Sequence, residues 1–195
     1  MKKSKLALLA FASLVGTFAP SAQAAFIFTM IQSGGDVVVN GSGSFDITGL
    51  VPVVSGTVFP QLFASQGFLV GGPSISSFPA TVFSVSTGPS SFGSGGGFIP
   101  NTTSGASAGI AMNVNGFLVP AGYASGTSLM NAMTFTGATF ASLGVTPGTY
   151  IWTWGTGANA DSLTLRIGAV PEPATLALIG LGLSGLALTR RSRTH

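Results

Sequence analysis

Between Ala25 and Val170 the chain carries only four charged side chains, Asp36, Asp46, Asp161 and Arg166. This stretch is rich in Gly, Ser, Thr, Val and Phe and poor in Glu, Lys, Arg and Gln, a balance that favours strands and turns. The expected fold is mostly β: a single β-sandwich-like domain over residues 25–169, followed by one transmembrane helix.

The net charge of +3 belongs to the ends. Lys2, Lys3 and Lys5 supply +3, and Arg190, Arg191 and Arg193 less Glu172 supply +2, while the body holds −2. No basic patch exists in the body to neutralise phosphates, so no nucleic-acid partner is expected. Cysteine is absent, which excludes disulfides, thiolate metal sites and a cysteine nucleophile.

Residues 1–24 have the parts of a secretory signal peptide. Lys2 to Lys5 form the charged region, Leu6 to Phe18 the apolar region, and Ala22-Gln23-Ala24 the small-x-small cleavage pattern. Signal peptidase is expected to cut after Ala24.

Residues 170–195 read as a second address. Pro171 and Pro173 hold the backbone around Glu172 extended and poor in hydrogen bonds, a shape that a processing enzyme can thread. An apolar membrane helix is expected at about 174–189. Its run from Ala174 to Leu188 would be about 22 Å long as a helix. That is short against a hydrocarbon core of about 30 Å, a gap that bilayer thinning and snorkelling arginines can close. Arg190, Arg191 and Arg193 form the membrane stop, and positive charge kept on the inside places the body across the membrane.

Val170-Pro171-Glu172-Pro173-Ala174, a short Gly/Leu/Ala-rich span and an Arg-rich end closely resemble the PEP-CTERM sorting signal of Gram-negative bacteria. The resemblance implies processing by an exosortase and association with exopolysaccharide production, with this chain as substrate and not enzyme. Upstream, Pro120-Ala121-Gly122-Tyr123-x-Ser125-Gly126 and Leu143-Gly144-Val145-Thr146-Pro147-Gly148-Thr149-Tyr150-x-Trp152-x-Trp154-Gly155 resemble a recurrent ectodomain of such proteins. Gly157-Ala158-Asn159-Ala160-Asp161-Ser162 continues that pattern.

Turn chemistry places several strands. Val37 to Phe45 reads as a hairpin about Asn40-Gly41, and Asn115-Gly116 separates Ile110–Val114 from Phe117–Val119. Thr146-Pro147-Gly148-Thr149 suits a type II turn, followed by a strand from Tyr150 to Trp154. Leu163, Leu165 and Ile167 alternate inward along a last strand. Ser90 to Gly97 is Gly/Ser-rich and reads as a long loop with little to pack.

Catalysis is poorly provisioned. The one histidine, His195, lies beyond the membrane stop, so the body can assemble no Ser-His-Asp triad and no His-carboxylate metal site. No catalytic residues, cofactor or metal are expected, and the chain is expected not to be an enzyme. Tyr150, Trp152 and Trp154 share one strand face by period two. Exposed, that face would stack sugars; buried, it is core. The sequence therefore points to an exported surface or extracellular-matrix protein. A carbohydrate-binding module acting on matrix exopolysaccharide and an uncleaved membrane-anchored protein are the alternatives.

Overall fold

The computed structural model describes residues 25–85 and 87–168. The expected signal peptide, the sorting tail and its helix at 174–189 lie outside the described residues. Among those described, no helix is long and apolar enough to cross a membrane.

Thirteen strands follow in order: β1 (Ala25–Ser33), β2 (Asp36–Gly43), β3 (Pro52–Val58), β4 (Gln61–Phe63), β5 (Phe68–Gly71), β6 (Phe78–Ser84) and β7 (Gly97–Phe98), then β8 (Thr102–Gly105), β9 (Ala108–Ala111), β10 (Gly116–Pro120), β11 (Leu129–Phe135), β12 (Gly148–Trp154) and β13 (Asp161–Ile167). A one-turn helix, α1 (Phe140–Leu143), precedes β12. The chain is mostly β, as its composition requires. Its strands form a six-stranded sheet, ordered β12-β13-β1-β2-β11-β8, and a seven-stranded sheet, ordered β3-β6-β10-β9-β5-β4-β7.

One apolar core joins the sheets. Phe26, Phe28 and Met30 of β1 alternate inward from the first, as do Leu163, Leu165 and Ile167 of β13. From the second come Leu62, Leu69, Ile110, Phe117 and Phe83. The second sheet also has a smaller apolar cluster on its other face, built on Val70, Phe78, Ala80, Ala111 and Leu118.

β1 and β13 pair in parallel, from Ala25 opposite Ser162 to Met30 opposite Ile167. The first and last strands of the body thus lie side by side at the centre of a sheet. Because they run the same way, the chain enters at one end of that sheet and leaves at the other. The two points are about 17 Å apart at about 3.3 Å per residue.

Several local expectations are corrected. β2 runs straight through Asn40-Gly41, and the turn lies earlier, at Gly34 (φ +63°) and Gly35 (φ +106°). Both central residues of that mirror-image turn need positive φ. Gly41 serves a different need, because it pairs with Phe28 on one side and Asn131 on the other. A Cβ there would come within 2.6 Å of Phe28 Cε1 and 2.8 Å of Phe26 Cε1.

Thr146–Thr149 joins α1 to β12 rather than two strands, and Gly148 is near-extended (φ +159°), not at the φ of about +80° of a type II turn. Ser90 to Gly97, finally, is no unpacked loop. Phe92 is buried, and its N–H donates to Ala64 O at 3.0 Å. Ser94 and Gly95 both donate to Gly144 O, at 2.9 and 3.0 Å. The glycines permit this approach, since a Cβ on Gly95 would collide with the Leu143 carbonyl. A hairpin does join β9 to β10, but the expected strand Ile110–Val114 ends at Ala111. Met112–Val114 form a 3-10 turn closed by left-handed Asn115 (φ +50°), and Gly116 already belongs to β10.

Gly41→Ala should therefore cost about 1–3 kcal/mol by forcing ring shifts in a packed core. Gly96→Ala, whose new methyl meets nothing within 4 Å, should change stability by less than about 0.5 kcal/mol. Chemical denaturation of the two variants measures the contrast.

Candidate functional site

The densest polar constellation lies where β13 begins. Asp161 is 5 % exposed. Its Oδ2 accepts from the Asp46 N–H and its Oδ1 from the Ser162 N–H, both at 2.6 Å. Asp46 turns its own carboxylate outward. There Oδ1 accepts from Thr48 N–H and from Ser125 Oγ, each at 2.8 Å, and Ser125 Oγ accepts in turn from Ile47 N–H at 3.0 Å. The Asp46 carbonyl accepts from Trp154 Nε1 at 2.9 Å.

Beside it, Tyr123 Oη accepts from Phe45 N–H at 2.9 Å and donates to Thr127 O at 2.6 Å. The Phe45 carbonyl accepts from Gly126 N–H at 2.9 Å. Together these bonds clasp the segment after β2 against the 120–127 turn and the β12–β13 end. Tyr123, Ser125, Gly126, Trp154, Asp161 and Ser162, far apart in the chain, converge here.

The two carboxylates are pushed in opposite directions. Burial raises Asp161 from 3.8 to about 6, with the Asp46 charge adding to the rise and the two N–H donors opposing it. Asp46 is lowered by the Thr48 and Ser125 hydrogen bonds, the Thr48 contribution being largest. A pair with separated acidities can serve acid–base chemistry. Here, however, both oxygens of Asp161 are already engaged by backbone donors, and the arrangement acts as a clasp. Among the described residues, no three His, Cys, Asp or Glu side chains gather where they could hold a metal ion.

Tyr150, Trp152 and Trp154 do share one face of β12, and it is the inner face. Trp152 and Trp154 are 0 % and 1 % exposed, and Trp152 Nε1 donates to Pro89 O at 2.8 Å. Tyr150 is half-buried, packs against Phe92 at 6.0 Å and donates from Oη to Thr146 O at 2.9 Å. With the indole faces inside, no row of rings is left to stack on a sugar, and the platform reading is replaced by core.

The sorting residues Pro171, Glu172 and Pro173 and the stop residues Arg190, Arg191 and Arg193 lie outside the described residues. What the structure does place is the point from which they depart. Gly168 follows β13 and donates its N–H to Met30 O at 3.0 Å. That point is at the opposite end of the sheet from the clasp, because β13 starts at the clasp and ends here.

Sequence reasoning missed the link between Asp46 and Asp161 and the burial of Phe45 and Phe92. A lone phenylalanine inside a Gly/Ser run was the available sign for Phe92. Nothing local distinguishes Asp161 from an ordinary turn aspartate.

Residues 169–191 match the family model of the PEP-CTERM protein-sorting motif. No curated protein and no solved structure matches the chain. The motif implies an exported chain handled by an exosortase.

The clasp predicts an unusual pH dependence. With Asp161 raised to about 6, the folded state binds more protons than the unfolded state between that value and 3.8. Stability should therefore increase as pH falls through this window, by at most about 1.4 kcal/mol per pH unit. Below it, Asp46 reverses the trend, because a group lowered by folding loses its contribution on protonation. Thermal melts across pH 3–7 should peak near pH 4, and Asp161→Asn should flatten the rise from neutral pH.

Proposed function

We propose that a chain ending in this sorting motif is a non-enzymatic surface or extracellular-matrix protein whose two ends are removed in transit. Signal peptidase takes residues 1–24. The tail then holds the precursor transiently in the inner membrane of a Gram-negative bacterium, with Arg190, Arg191 and Arg193 retained inside. An exosortase cuts near Pro171-Glu172-Pro173. The delivered part is residues 25–169, one sandwich-like domain that contributes structurally or adhesively to the cell surface or the exopolysaccharide-containing biofilm matrix.

One observation carries this reading: the strands described between Ala25 and Ile167 by themselves build two sheets around a shared core. Ala25, the residue after the expected signal cleavage, already pairs with Ser162 and accepts from Ser44 N–H at 3.3 Å. Gly168, the last described residue, is tied to the body through its N–H to Met30 O. Cutting away both addresses leaves all of these described strands in place. Before cutting, residues 169–173 reach at most about 18 Å when fully extended. The Gly168 end is thus held near the membrane, and the clasp faces away from it.

The non-enzymatic reading is supported by the engagement of the body's buried acid in backbone hydrogen bonds. The exopolysaccharide-binding alternative loses its proposed aromatic face to the core and finds no second support.

The intact mass of the protein recovered from cells tests the proposal. The expected species begins at Ala25 and ends before the apolar segment, and it is replaced by membrane-retained full tail when the exosortase is deleted. Mature protein uniformly ending at His195 would show instead a permanent anchor.

A further inference from the structure

The two sheets present four edges among the described residues, and three are short or partly covered. β12 is covered by the strap at 87–95, where Thr87 and Thr153 exchange backbone hydrogen bonds of 3.2 and 2.9 Å. β8 has four residues, and its Thr103 hydroxyl donates to Gly72 O at 2.7 Å. β7 has two residues.

β3 is different. It has seven residues, lies at the outer edge of its sheet and pairs only with β6. A bulge between Pro52 and Val54 disturbs its start, after which the register is regular to Val58. Val51, Val53, Val54 and Phe59 are 80, 54, 49 and 59 % exposed. Edge strands are ordinarily blunted by charge, proline, a bulge, shortness or cover. Here Pro52 and the bulge blunt only the first residues, leaving Val54–Val58 regular. This one has neither shortness nor cover, and charge is absent from the whole sheet, since no charged residue occurs between Asp46 and Asp161.

We propose that β3 is a self-pairing edge. Two copies of the chain join β3 to β3, antiparallel, so that their seven-stranded sheets become continuous. The occupant is argued from three features. An unpaired backbone ladder calls for another extended strand. An uncharged strand meets its own copy without repulsion, and the antiparallel pairing of one strand with itself is a two-fold contact that closes.

The third feature is fit. Centred on Ser55, the pairing sets Val54 of each copy opposite Gly56 of the other. Val54 stands exposed, while a Cβ at Gly56 would meet nothing within 4 Å. Both residues also line a shallow apolar cavity of about 190 Å³ with Val58, Phe68 and Val114. The valine of one copy thus has room beside the glycine of the other, over an apolar floor. This inference does not depend on how the tail is processed.

Sedimentation velocity on the protein recovered from cells, over a wide concentration range, tests it alongside Val53→Lys and Val54→Lys. Val54→Lys sets two like charges about 7 Å apart across the two-fold axis. Val53→Lys buries a charged side chain's stem and head against Thr57 of the other copy, on the opposite face of the joined edge. Met130→Lys, at an exposed position of the other sheet (72 %), serves as the control, and tryptophan emission verifies that every variant is folded. The wild type and Met130→Lys should dimerise, with both β3 variants weakened by at least about tenfold. Hydrogen exchange at residues 53–57 should slow at high concentration and recover on dilution. A wild-type protein monomeric throughout would overturn the proposal. So would a dimer insensitive to both β3 substitutions, or one whose β3 amides stay unprotected.

Discussion

The fold depends on one aromatic stack that crosses between its sheets. Phe117 of the seven-stranded sheet lies on Trp154 of the six-stranded sheet, with ring centroids 4.0 Å apart and planes 27° apart. Phe45 stacks on both, at 5.2 Å from Phe117 and 5.8 Å from Trp154, and continues to Phe26 at 4.8 Å. Phe83 extends the stack on the other side at 5.7 Å. A body with no cysteine and only four charges has neither disulfides nor ion-pair networks to rely on. Burial of large rings is the remaining strong source of cohesion, and stacking adds about 0.5–1.5 kcal/mol per pair beyond the area term.

The clasp is best understood as the polar margin of that stack. Phe45 enters the core from a segment that belongs to no strand, so its backbone must be satisfied by neighbours. Tyr123 and Gly126 take the Phe45 N–H and carbonyl, and Asp161 takes the next N–H. Trp154 connects the two levels, with its ring in the stack and its Nε1 on the Asp46 carbonyl. Burying Asp161 to complete this arrangement raises its pKa and makes it a weaker acid. The predicted preference for mild acid follows as a by-product of holding Phe45 in place.

Much of this organisation was legible in residue order, and the failures have a common cause. Alternation along 161–167 located β13 because its whole pattern lies within seven residues. The sorting motif was legible for the same reason. Asn40-Gly41 misled because turn chemistry is local, whereas this glycine answers to Phe28 and Asn131 on neighbouring strands. The Ser90–Gly97 strap misled likewise, since its glycines serve a close approach to Gly144 rather than freedom. Period two placed Tyr150, Trp152 and Trp154 on one face. Which way that face points depends on the second sheet, contributed by residues 52–120, and no short window contains that information.

What emerges is a nearly uncharged domain whose first and last described strands pair side by side, with a sorting motif after it and a proposed signal peptide before it. The central claim is that the body owes nothing to those addresses for its structure. Refolding residues 25–168 alone, with tryptophan emission followed through denaturant, tests it most directly. The account predicts one cooperative transition from shielded, blue-shifted indoles to exposed ones, coincident with loss of the β signal. Water-exposed emission without a cooperative transition would contradict it.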